Sequence, residues 1–474
     1  MIKEYKMLIG GKWLSGKESF EVKNPYNNEV LGTVPKASKE DVEMAISSAE
    51  KSFKIMSEMP AHKRSSILQR TSELINDKKE EIAEIIAKEA GKAWKYAIGE
   101  ASRAVETFKF ASEEAKHIAG ETVPMDASKG SENRFGFYIR VPIGIIGAIS
   151  PFNFPLNLVA HKVAPAIAAG NTVVLKPASY TPLTAIKLGE IMIEAGIPDG
   201  ALNIIMGGGS TVGTWLVESP KLAMITFTGS PPVGQFIKNR AGMKRVTLEL
   251  GSNSAALIDE DADIDYAVQR TVMGSFANSG QVCISVQRIY IHKNIYDEFL
   301  EKFLDSTKKQ VVGDPLDKNC DVGPMIDEGE AIRAETWVNE AVESGAKILT
   351  GGKREGAMFQ PTVLTNVKPD MKVISSEIFA PVVSVIPFSD FDEAVKLVDD
   401  SIYGLQAGVF TKDVNKAFRA IKNINVGGVI INDVPTYRAD HMPYGGNKLS
   451  GIGREGLKYA IEEMTNIKMV CFNL

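Results

Sequence analysis

The chain has 474 residues, of which 44% are hydrophobic and 24% charged, and it carries a formal net charge of -5 at pH 7. A chain of this length buries enough apolar surface for two or three globular domains, and its slightly acidic balance gives no reason to expect nucleic acid as a partner. Three widely spaced cysteines, no signal-peptide pattern and no apolar run of membrane length predict a cytoplasmic protein without a disulfide framework or a metal site.

The first 118 residues predict a small strand-rich entry followed by helices. Residues 7–35 combine short β-prone runs with turns that contain glycine, asparagine and proline. Three helical stretches follow, and the first opens with Ser38 and Asp41 in the pattern of a capping box. The second and third run from about 61 to 90 and from about 93 to 118, and their charged faces are most simply explained as solvated surface.

From residue 119 onward, strands dominate and then alternate with helices. Alternating apolar residues at the end of 119–141 predict a hairpin that projects from a domain. The alternation that follows predicts a doubly wound parallel sheet, whose ligand binds beyond the carboxyl ends of the strands. A second alternation from about 255 to 435 predicts a second domain of similar class. The predicted strands of the first sheet are 145–149, 172–176, 201–206, 222–226 and 246–250.

Two glycine-containing turns after predicted strands are candidates for a phosphate-binding site. Residues 207–213 have the spacing G-x-G-x-x-x-G rather than the dinucleotide fingerprint G-x-G-x-x-G, so a purely structural turn is at least equally expected. Residues 227–230, with Gly234 shortly after them, follow a strand and open a helix, where backbone N–H groups and the Ser230 hydroxyl suit a pyrophosphate. Lys176 ends a strand where ligands bind, although a surface lysine is equally expected there.

One cysteine occupies a setting that suits a nucleophile. Residues 276–285 place Cys283 in a short polar turn that contains glycine and follows an apolar helical run. In such a turn a thiol is exposed near backbone N–H groups, which stabilise a thiolate. A free cysteine on its own is more often a small buried hydrophobic residue, so this interpretation depends on other motifs in the chain.

Seven stretches of the chain resemble the aldehyde dehydrogenase superfamily, in that family's order and over essentially the whole length. Each stretch alone is a weak signal, but the set, with the family's 34-residue step from Glu249 to Cys283, is very specific. The seven stretches are Pro151–Pro155, Lys176–Ser179, Phe227–Ser230, Glu249–Gly251, Gly280–Cys283, Glu377–Phe379 and Tyr444–Glu455.

The resemblance implies an α/β fold of the aldehyde dehydrogenase type, with two doubly wound α/β domains and a β-strand oligomerisation arm. It assigns residues 1–120 and 142–250 to an NAD(P)-binding domain and 251–448 to a catalytic domain. Residues 121–141 and 458–474 form the arm, which implies a homodimer or a homotetramer.

The resemblance also implies the oxidation of an aldehyde to the carboxylic acid through a cysteine thiohemiacetal and a thioester. The Cys283 thiolate adds to the aldehyde carbon, and the Asn153 side-chain amide with the Cys283 N–H stabilises the oxyanion. Hydride passes to the nicotinamide, and Glu249 as general base activates the water that releases the acid.

The expected cofactor is NADP, with NAD as the second possibility. Ser179 stands where many NAD-preferring relatives carry glutamate. A carboxylate there binds the ribose hydroxyls and repels a 2′-phosphate, whereas serine can donate to the phosphate. The residues that the resemblance assigns to the cofactor are Ser150, Pro151, Phe152, Lys176, Ser179, Gly209, Gly213, Phe227, Thr228, Gly229, Ser230, Gly234, Leu250, Glu377 and Phe379.

The substrate class is less constrained. The resemblance favours a short hydroxy-aldehyde or semialdehyde, such as lactaldehyde, glyceraldehyde or glyceraldehyde phosphate; succinate semialdehyde or a broad range of aldehydes is the alternative. Arg103, Asn157, Arg438 and His441 occupy positions that resemble substrate contacts, and an arginine fork suits an anionic tail. Against such a tail, Val282 precedes the cysteine where some phosphate-binding relatives have arginine, and either arginine would equally form a surface ion pair.

Two other function classes stay open from the sequence alone. A dehydrogenase that passes its acyl group to coenzyme A would not need Glu249 as a base, so this residue favours hydrolysis. A non-catalytic structural protein on the same fold is disfavoured because Asn153, Glu249 and Cys283 occur together.

Overall fold

The computed structural model describes residues 2–474 and alternates strands with helices along most of the chain. The helices in this range are α1 (Lys39–Glu58), α2 (Ala61–Asp77), α3 (Lys79–Ala90), α4 (Trp94–Glu114), α5 (Asn157–Ala168), α6 (Pro182–Glu194), α7 (Thr214–Glu218), α8 (Pro231–Arg240), α9 (Ile264–Phe276), α10 (Tyr296–Lys308), α11 (Glu328–Glu343), α12 (Lys372–Ser375), α13 (Phe391–Asp399), α14 (Val414–Asn423) and α15 (Leu457–Glu463).

The strands are β1 (Met7–Ile9), β2 (Lys12–Leu14), β3 (Glu18–Lys23), β4 (Val30–Lys36), β5 (Thr122–Val123), β6 (Arg134–Pro142), β7 (Ile145–Ile149), β8 (Thr172–Lys176), β9 (Leu202–Ile204), β10 (Leu222–Thr228), β11 (Arg245–Glu249), β12 (Ala255–Ile258), β13 (Arg288–His292), β14 (Lys347–Thr350), β15 (Arg354–Glu355), β16 (Met358–Phe359), β17 (Thr362–Thr365), β18 (Val382–Phe388), β19 (Tyr403–Gly404), β20 (Gln406–Phe410), β21 (Gly428–Ile431), β22 (Asn447–Lys448), β23 (Gly451–Ile452) and β24 (Thr465–Asn473).

The first large sheet has the strand order β2-β1-β9-β8-β7-β10-β11-β23. The strands from β9 to β11 run parallel, and β1 and β23 join them antiparallel at either side. β7 and β8 are buried along their whole length, which explains why their sequences are continuous apolar runs rather than alternating ones. Because the parallel strands end at one edge, that edge carries Ser150, Lys176, Thr228 and Glu249 at or just beyond the strand ends.

The second large sheet has the order β14-β17-β18-β13-β12-β20-β21 and is parallel except at β14. Its central strands β12 and β13 are fully buried, and α9 and α10 pack against this sheet through an aromatic core that includes Phe276, Phe299 and Phe303. The connection between α9 and β13 carries Cys283. The predicted α/β class is confirmed in both large sheets.

The third sheet has the order β24-β6-β5 and includes the predicted hairpin. β24 pairs antiparallel with β6 over nine residues, from Thr465 opposite Pro142 to Asn473 opposite Arg134. β5 covers only a short part of the other edge of β6. Several large apolar side chains of this sheet are exposed in the single chain: Phe135, Ile139, Ile467, Met469 and Phe472.

The helical predictions need two corrections. The stretch from 61 to 90 forms two helices, because the chain leaves helical geometry at Lys78 (φ -104°, ψ 17°), directly after Asn76 and Asp77, which are weak helix formers. The following helix, α4, ends at Glu114 instead of 118. The capping box of α1 is confirmed, since Ser38 and Asp41 each accept the other's backbone N–H. Within residues 2–474 we find no helix that is both long and apolar enough to cross a bilayer.

Candidate active site

Three predicted catalytic residues line a single cavity of 760 Å³. Asn153 comes from the loop between β7 and α5, Glu249 from the last position of β11, and Cys283 from the turn after α9. The cavity therefore lies between the carboxyl edge of the first sheet and a loop that belongs to the second sheet. Asn153 and Glu249 are 96 positions apart in the sequence, and Glu249 and Cys283 are 34 apart, so the fold brings distant segments together here.

The turn before Cys283 has an unusual backbone. Asn278, Ser279 and Gly280 adopt left-handed conformations in succession, with φ of 52°, 57° and 70°. A Cβ at Gly280 would lie 2.0 Å from the carbonyl oxygen of Ala380, so only glycine fits there. Left-handed non-glycine residues are costly and persist where the surroundings fix them, often at functional sites. This local geometry directs Cys283 into the cavity.

The Cys283 thiol is half-buried, and its sulfur lies 3.0 Å from the hydroxyl oxygen of Tyr444. Burial raises the pKa of Cys283 to about 11, while the hydrogen bond from Tyr444 and the charge of Arg438 act to lower it. The predicted exposure of the thiol is therefore only partial. The backbone N–H of Cys283 donates to no protein acceptor among residues 2–474, so it is available to a bound ligand.

Asn153 is buried and tied to the cysteine turn. Its side-chain Nδ2 donates to the carbonyl oxygen of Gln281 at 2.9 Å, and its own carbonyl oxygen accepts from Nδ2 of Asn278 at 3.2 Å. The amide has a second N–H that can serve a ligand. These contacts fix the Asn153 side chain relative to the turn that presents Cys283.

A buried ion pair, which the sequence analysis did not predict, supports the Asn153 loop. Glu100 accepts the backbone N–H groups of Leu156 and Asn157 at 2.8 and 3.0 Å, at the start of α5. The other oxygen of Glu100 bonds to Lys92 at 2.5 Å, and the ammonium of Lys92 lies 3.7 Å from the ring centroid of Phe154. Glu100 therefore satisfies otherwise free N–H groups at the helix start.

Glu249 is buried and neither carboxyl oxygen has a hydrogen-bond partner among residues 2–474. Burial raises its pKa well above the ordinary value, and the neighbouring charge of Glu455 raises it further. Burial alone would also raise the pKa of Glu455, but the positive charges of Lys162 and Arg438 hold that pKa at about 2. Glu249 thus retains a proton more readily than an ordinary carboxyl group, and its free oxygens can reach a water or a reacting group.

Most residues that the sequence analysis assigned to the cofactor line the same cavity; only Ser179 and Gly234 do not. Gly234 packs against β11 through its neighbour Leu250, since a Cβ at Gly234 would lie 2.5 Å from that side chain. The Ser179 hydroxyl donates to the carbonyl oxygen of Gly207 at 3.0 Å and lines an adjoining cavity. Ser179 therefore lies beside the main cavity rather than in its wall.

The cavity wall fits a dinucleotide. Within the described range 2–474, the buried Ser150 hydroxyl has no hydrogen-bond partner, and the buried ammonium of Lys176 donates to the Pro177 carbonyl oxygen alone. Burial lowers the pKa of Lys176 to about 8. A Cβ at Gly209 would meet open space. Unpaired donors and room at the carboxyl edge of a parallel sheet are what ribose and phosphate groups require.

The N-terminus of α8 offers fewer donors than the sequence pattern suggested. Its first two residues, Pro231 and Pro232, have no N–H, so Val233 carries the first free backbone donor. The Ser230 hydroxyl makes no capping hydrogen bond. A pyrophosphate at this helix would bind to the Ser230 hydroxyl and the Val233 N–H.

Glu377, one of the predicted cofactor residues, packs tightly against the strand end that carries Glu249. It accepts the Ser252 N–H at 3.0 Å, and a Cβ at Gly251 would lie 2.3 Å from its other oxygen. A larger residue at 251 would therefore displace the Glu377 carboxyl group from this position. Burial raises the pKa of Glu377 to about 7.

None of the four predicted substrate residues lines the cavity. Arg103 pairs bidentately with Asp440 at 2.6 and 3.2 Å, and Asn157 donates to the same carboxylate at 3.1 Å. Arg438 is buried and donates to Glu455 at 2.9 Å. His441 is exposed and packs on Phe110. The predicted arginines are therefore in ion pairs, and that of Arg438 is buried rather than on the surface.

Tyr444 is the main site residue that the sequence analysis left without a role. It opens one of the seven matching stretches, yet nothing in the sequence predicts that its hydroxyl meets a thiol 161 residues earlier in the chain. That proximity depends on the packing of the C-terminal loop against the cysteine turn, which only the fold reveals.

Comparisons with known proteins agree with the geometry. The model of the "Aldehyde dehydrogenase family" matches residues 13–470. A 3-sulfolactaldehyde dehydrogenase of Priestia aryabhattai is 49% identical, with 100% of this chain and 99% of the relative covered. The crystal structure of aldehyde dehydrogenase 21 from Physcomitrella patens, in complex with the reaction product succinate, is similar at a TM-score of 0.98 and 43% identity, covering 100% of this chain and 99% of that one.

A second solved structure is similar over nearly the same span. It is the glyceraldehyde-3-phosphate dehydrogenase GapN from Methanocaldococcus jannaschii complexed with NADP, at a TM-score of 0.93 and 43% identity. The match covers 97% of this chain and 100% of that one.

Proposed function

The chain belongs to the aldehyde dehydrogenase family and oxidises aldehydes with a nicotinamide dinucleotide, and from that premise we propose that its substrate is a short hydroxy-aldehyde with an anionic tail. The product is the corresponding carboxylic acid. The choice of substrate rests on one shared feature: the compounds in the names of three similar proteins each have an anionic end. Succinate semialdehyde or a broad range of aldehydes remains the alternative.

In the proposed reaction Cys283 is the nucleophile. Its thiolate forms a C–S bond with the aldehyde carbon, and the carbonyl electron pair moves to oxygen. The resulting oxyanion accepts hydrogen bonds from the free N–H of Asn153 and from the unpaired N–H of Cys283. Since loss of one such donor typically costs roughly 10² to 10³ in rate, both are significant.

Glu249 is proposed as the general base that activates water to hydrolyse the thioester. Its free oxygens and raised pKa support this role, because a base with a pKa nearer neutrality accepts a proton from water more effectively. A base at this position also favours hydrolysis over transfer of the acyl group to coenzyme A.

The dinucleotide is proposed to lie along the edge formed by Ser150, Lys176, Gly209 and Ser230, and when bound it accepts the hydride from the cysteine adduct. Lys176 and the Ser150 hydroxyl would bind its ribose and phosphate oxygens. We favour NADP over NAD, because Ser179 brings no carboxylate that would repel a 2′-phosphate. The relative crystallised with NADP supports this preference.

The names of the similar proteins share one chemical feature. A sulfonate in 3-sulfolactaldehyde, a phosphate in glyceraldehyde 3-phosphate and a carboxylate in succinate each place an anion at the end opposite the reacting carbon. Two of these three compounds are also hydroxy-aldehydes. These names support an anionic hydroxy-aldehyde as the substrate of this chain.

A cluster of charged side chains lies next to the site, and Arg103 is its one partly exposed member. The cations are Arg103, Lys162 and Arg438, and the ionised carboxylates are Asp440 and Glu455. Arg103 contacts Asp440, whereas Lys162 and Arg438 both contact Glu455. The Nε atom of Arg438 is buried and donates to no acceptor among residues 2–474. Arg438 does not line the cavity, so this atom lies outside the space in which we propose that the substrate binds.

The domain division is proposed as the sequence analysis gave it, with an NAD(P)-binding domain (1–120 and 142–250), a catalytic domain (251–448) and an arm (121–141 and 458–474). The exposed apolar face of β6 and β24 supports burial of the arm in a homodimer or homotetramer. Three unpaired cysteines support a cytoplasmic location.

A substrate panel tests this proposal. Initial rates of NAD(P)H formation would be measured with lactaldehyde, glyceraldehyde, glyceraldehyde 3-phosphate, 3-sulfolactaldehyde, succinate semialdehyde and benzaldehyde, each with both cofactors. We expect the highest kcat/KM for an anionic hydroxy-aldehyde with NADP. Equal kcat/KM for benzaldehyde and the anionic compounds would reject the substrate class but leave the chemistry intact.

The nucleophile is tested separately. Cys283→Ala should abolish turnover of every aldehyde while the cofactor still binds, and Cys320→Ala, which alters a buried thiol away from the cavity, is the matched control. Turnover in Cys283→Ala within about tenfold of the unaltered protein would reject the mechanism.

A further inference from the structure

Tyr444 is held firmly against the reacting sulfur. It is buried, and its backbone exchanges two hydrogen bonds with Glu455 at 3.0 and 2.6 Å. The guanidinium of Arg438 lies 3.7 Å from the centroid of its ring, and Arg438 is itself fixed by its hydrogen bond to Glu455. One residue, Glu455, therefore positions both the backbone and the ring of Tyr444. The hydroxyl at the end of the ring is 3.0 Å from the Cys283 sulfur.

The direction of this hydrogen bond is fixed once the sulfur is ionised, because a thiolate can only accept. Burial, and then the adjacent Cys283, raise the pKa of Tyr444 well above its ordinary value, so the phenol keeps its proton. Cys283 packs in an apolar cluster with Phe154, Val282, Ile284 and Leu405. Three charged groups also act on its sulfur: Arg438 lowers the pKa of the thiol, and Glu377 and Glu249 raise it. A thiolate in such a pocket needs a donor, and a hydrogen bond to an ion is about twice as strong as one between neutral groups. The contact between Tyr444 and Cys283 therefore favours the thiolate over the thiol.

We propose that Tyr444 is a catalytic residue whose hydroxyl donates a hydrogen bond to the Cys283 thiolate and so increases the fraction of reactive sulfur at neutral pH. The proposal rests on the nucleophilic role of Cys283. The thiol proton leaves to solvent, the sulfur electron pair forms the bond to the aldehyde carbon, and the carbonyl pair moves to oxygen. The phenolic proton stays on Tyr444 throughout, so Tyr444 stabilises the nucleophile without exchanging its own proton.

A lower pKa of Cys283 gives more thiolate but makes each thiolate less nucleophilic, so the gain in reactivity is limited. Lowering the pKa of a thiol by about one unit raises its thiolate fraction about tenfold at a pH below the pKa. The same change lowers the intrinsic nucleophilicity about threefold, because the Brønsted coefficient for thiolates is roughly 0.4–0.5. The net gain at neutral pH is thus about threefold per unit, while the limiting rate at high pH falls about threefold. A hydrogen-bond donor to the thiolate therefore raises the reaction rate of the cysteine at neutral pH and lowers it at high pH.

The test is the pH dependence of Cys283 alkylation by iodoacetamide without cofactor, with labelling followed at the Cys283 peptide by mass spectrometry. In Tyr444→Phe we expect the apparent pKa of Cys283 to rise by about one unit. Alkylation should be about threefold slower at neutral pH and about threefold faster at the high-pH plateau. Tyr290→Phe is the matched control, because Tyr290 is a buried tyrosine whose hydroxyl donates to the Leu397 carbonyl oxygen away from the cavity. Its profile should match the unaltered protein.

An unchanged pKa of Cys283 in Tyr444→Phe would overturn the proposal, and so would an alkylation rate that changes by the same factor at every pH. If Tyr444 had only a structural role, the pH profiles of the variant and the unaltered protein would not cross. If Tyr444→Phe does not fold, 3-fluorotyrosine can replace Tyr444, because it keeps the shape of the side chain and its hydroxyl is a stronger donor. The apparent pKa of Cys283 should then fall, and an unchanged pKa would also overturn the proposal. Failure of the proposed function is recognised separately, because turnover by Cys283→Ala would reject the nucleophile whatever these profiles show.

Discussion

Glu249 and Glu455 are neighbouring buried carboxyl groups with opposite preferences for a proton. Glu455 is ionised because it contacts Lys162 at 3.1 Å and Arg438 at 2.9 Å. Its negative charge adds to burial in raising the pKa of Glu249, whose carboxyl oxygens have no hydrogen-bond partner in the part of the chain that the structure describes. The basicity of the proposed general base is thus set partly by a residue that belongs to the C-terminal loop.

Replacing Glu455 should therefore shift the acid limb of the reaction. In Glu455→Gln the negative neighbour is lost and Lys162 and Arg438 lose their counter-charge, so the pKa of Glu249 falls. In the proposed mechanism thioester hydrolysis requires ionised Glu249, so turnover should then extend to lower pH by about one unit or more. The measurement is the steady-state rate against pH at saturating substrate. The exposed Glu462→Gln is the control, and an acid limb that does not move would contradict the coupling.

The same substitution has a cost in stability. Removing one partner of a buried ion pair leaves uncompensated charge, which typically costs about 3–5 kcal/mol. We expect a lower midpoint of thermal unfolding for Glu455→Gln than for Glu462→Gln, and the kinetics should be measured well below that midpoint.

Glu249→Gln separates the two chemical steps. If Glu249 serves hydrolysis of the thioester, acylation should still occur, giving a burst of about one NAD(P)H per active site followed by slow turnover. Rapid-mixing absorbance at saturating aldehyde measures this burst. Loss of the burst itself would assign Glu249 to a step before hydride transfer.

Strand patterns and short motifs can be predicted from this sequence, whereas side-chain contacts between distant segments cannot. The parallel strands are continuous apolar runs, and the motif set includes Asn153, Glu249 and Cys283, so the α/β class and the candidate catalytic residues follow from the chain alone. The pairing of Arg438 with Glu455 and the contact of Tyr444 with Cys283 do not, because they join distant segments through side-chain packing. Local propensity also missed the break at Lys78, where a short weak segment interrupts an otherwise helical pattern.

The C-terminal strand provides a test of assembly. β24 pairs with β6 along nine residues and leaves Ile467, Met469 and Phe472 exposed, so the arm presents an apolar face that a second chain would cover. Deleting residues 467–474 should give monomer or insoluble protein. Light scattering coupled to gel filtration measures this, and an oligomer of unchanged mass would refute the proposed arm.

The choice between NADP and NAD is tested at Ser179, which donates to the Gly207 carbonyl oxygen beside the main cavity. In Ser179→Glu a carboxylate replaces the hydroxyl, and it should repel a 2′-phosphate of charge about -2 by several kcal/mol at low effective dielectric, and by less where water screens it. The same carboxylate can accept hydrogen bonds from the ribose hydroxyls, so NAD should bind equally well or better. We expect the ratio of kcat/KM for NADP over NAD to fall by at least about tenfold. Ser179→Ala is the control for loss of the hydroxyl alone, and it should lower the ratio less because it adds no charge. A ratio that stays constant in Ser179→Glu would place the selection of the cofactor at other residues of the cavity.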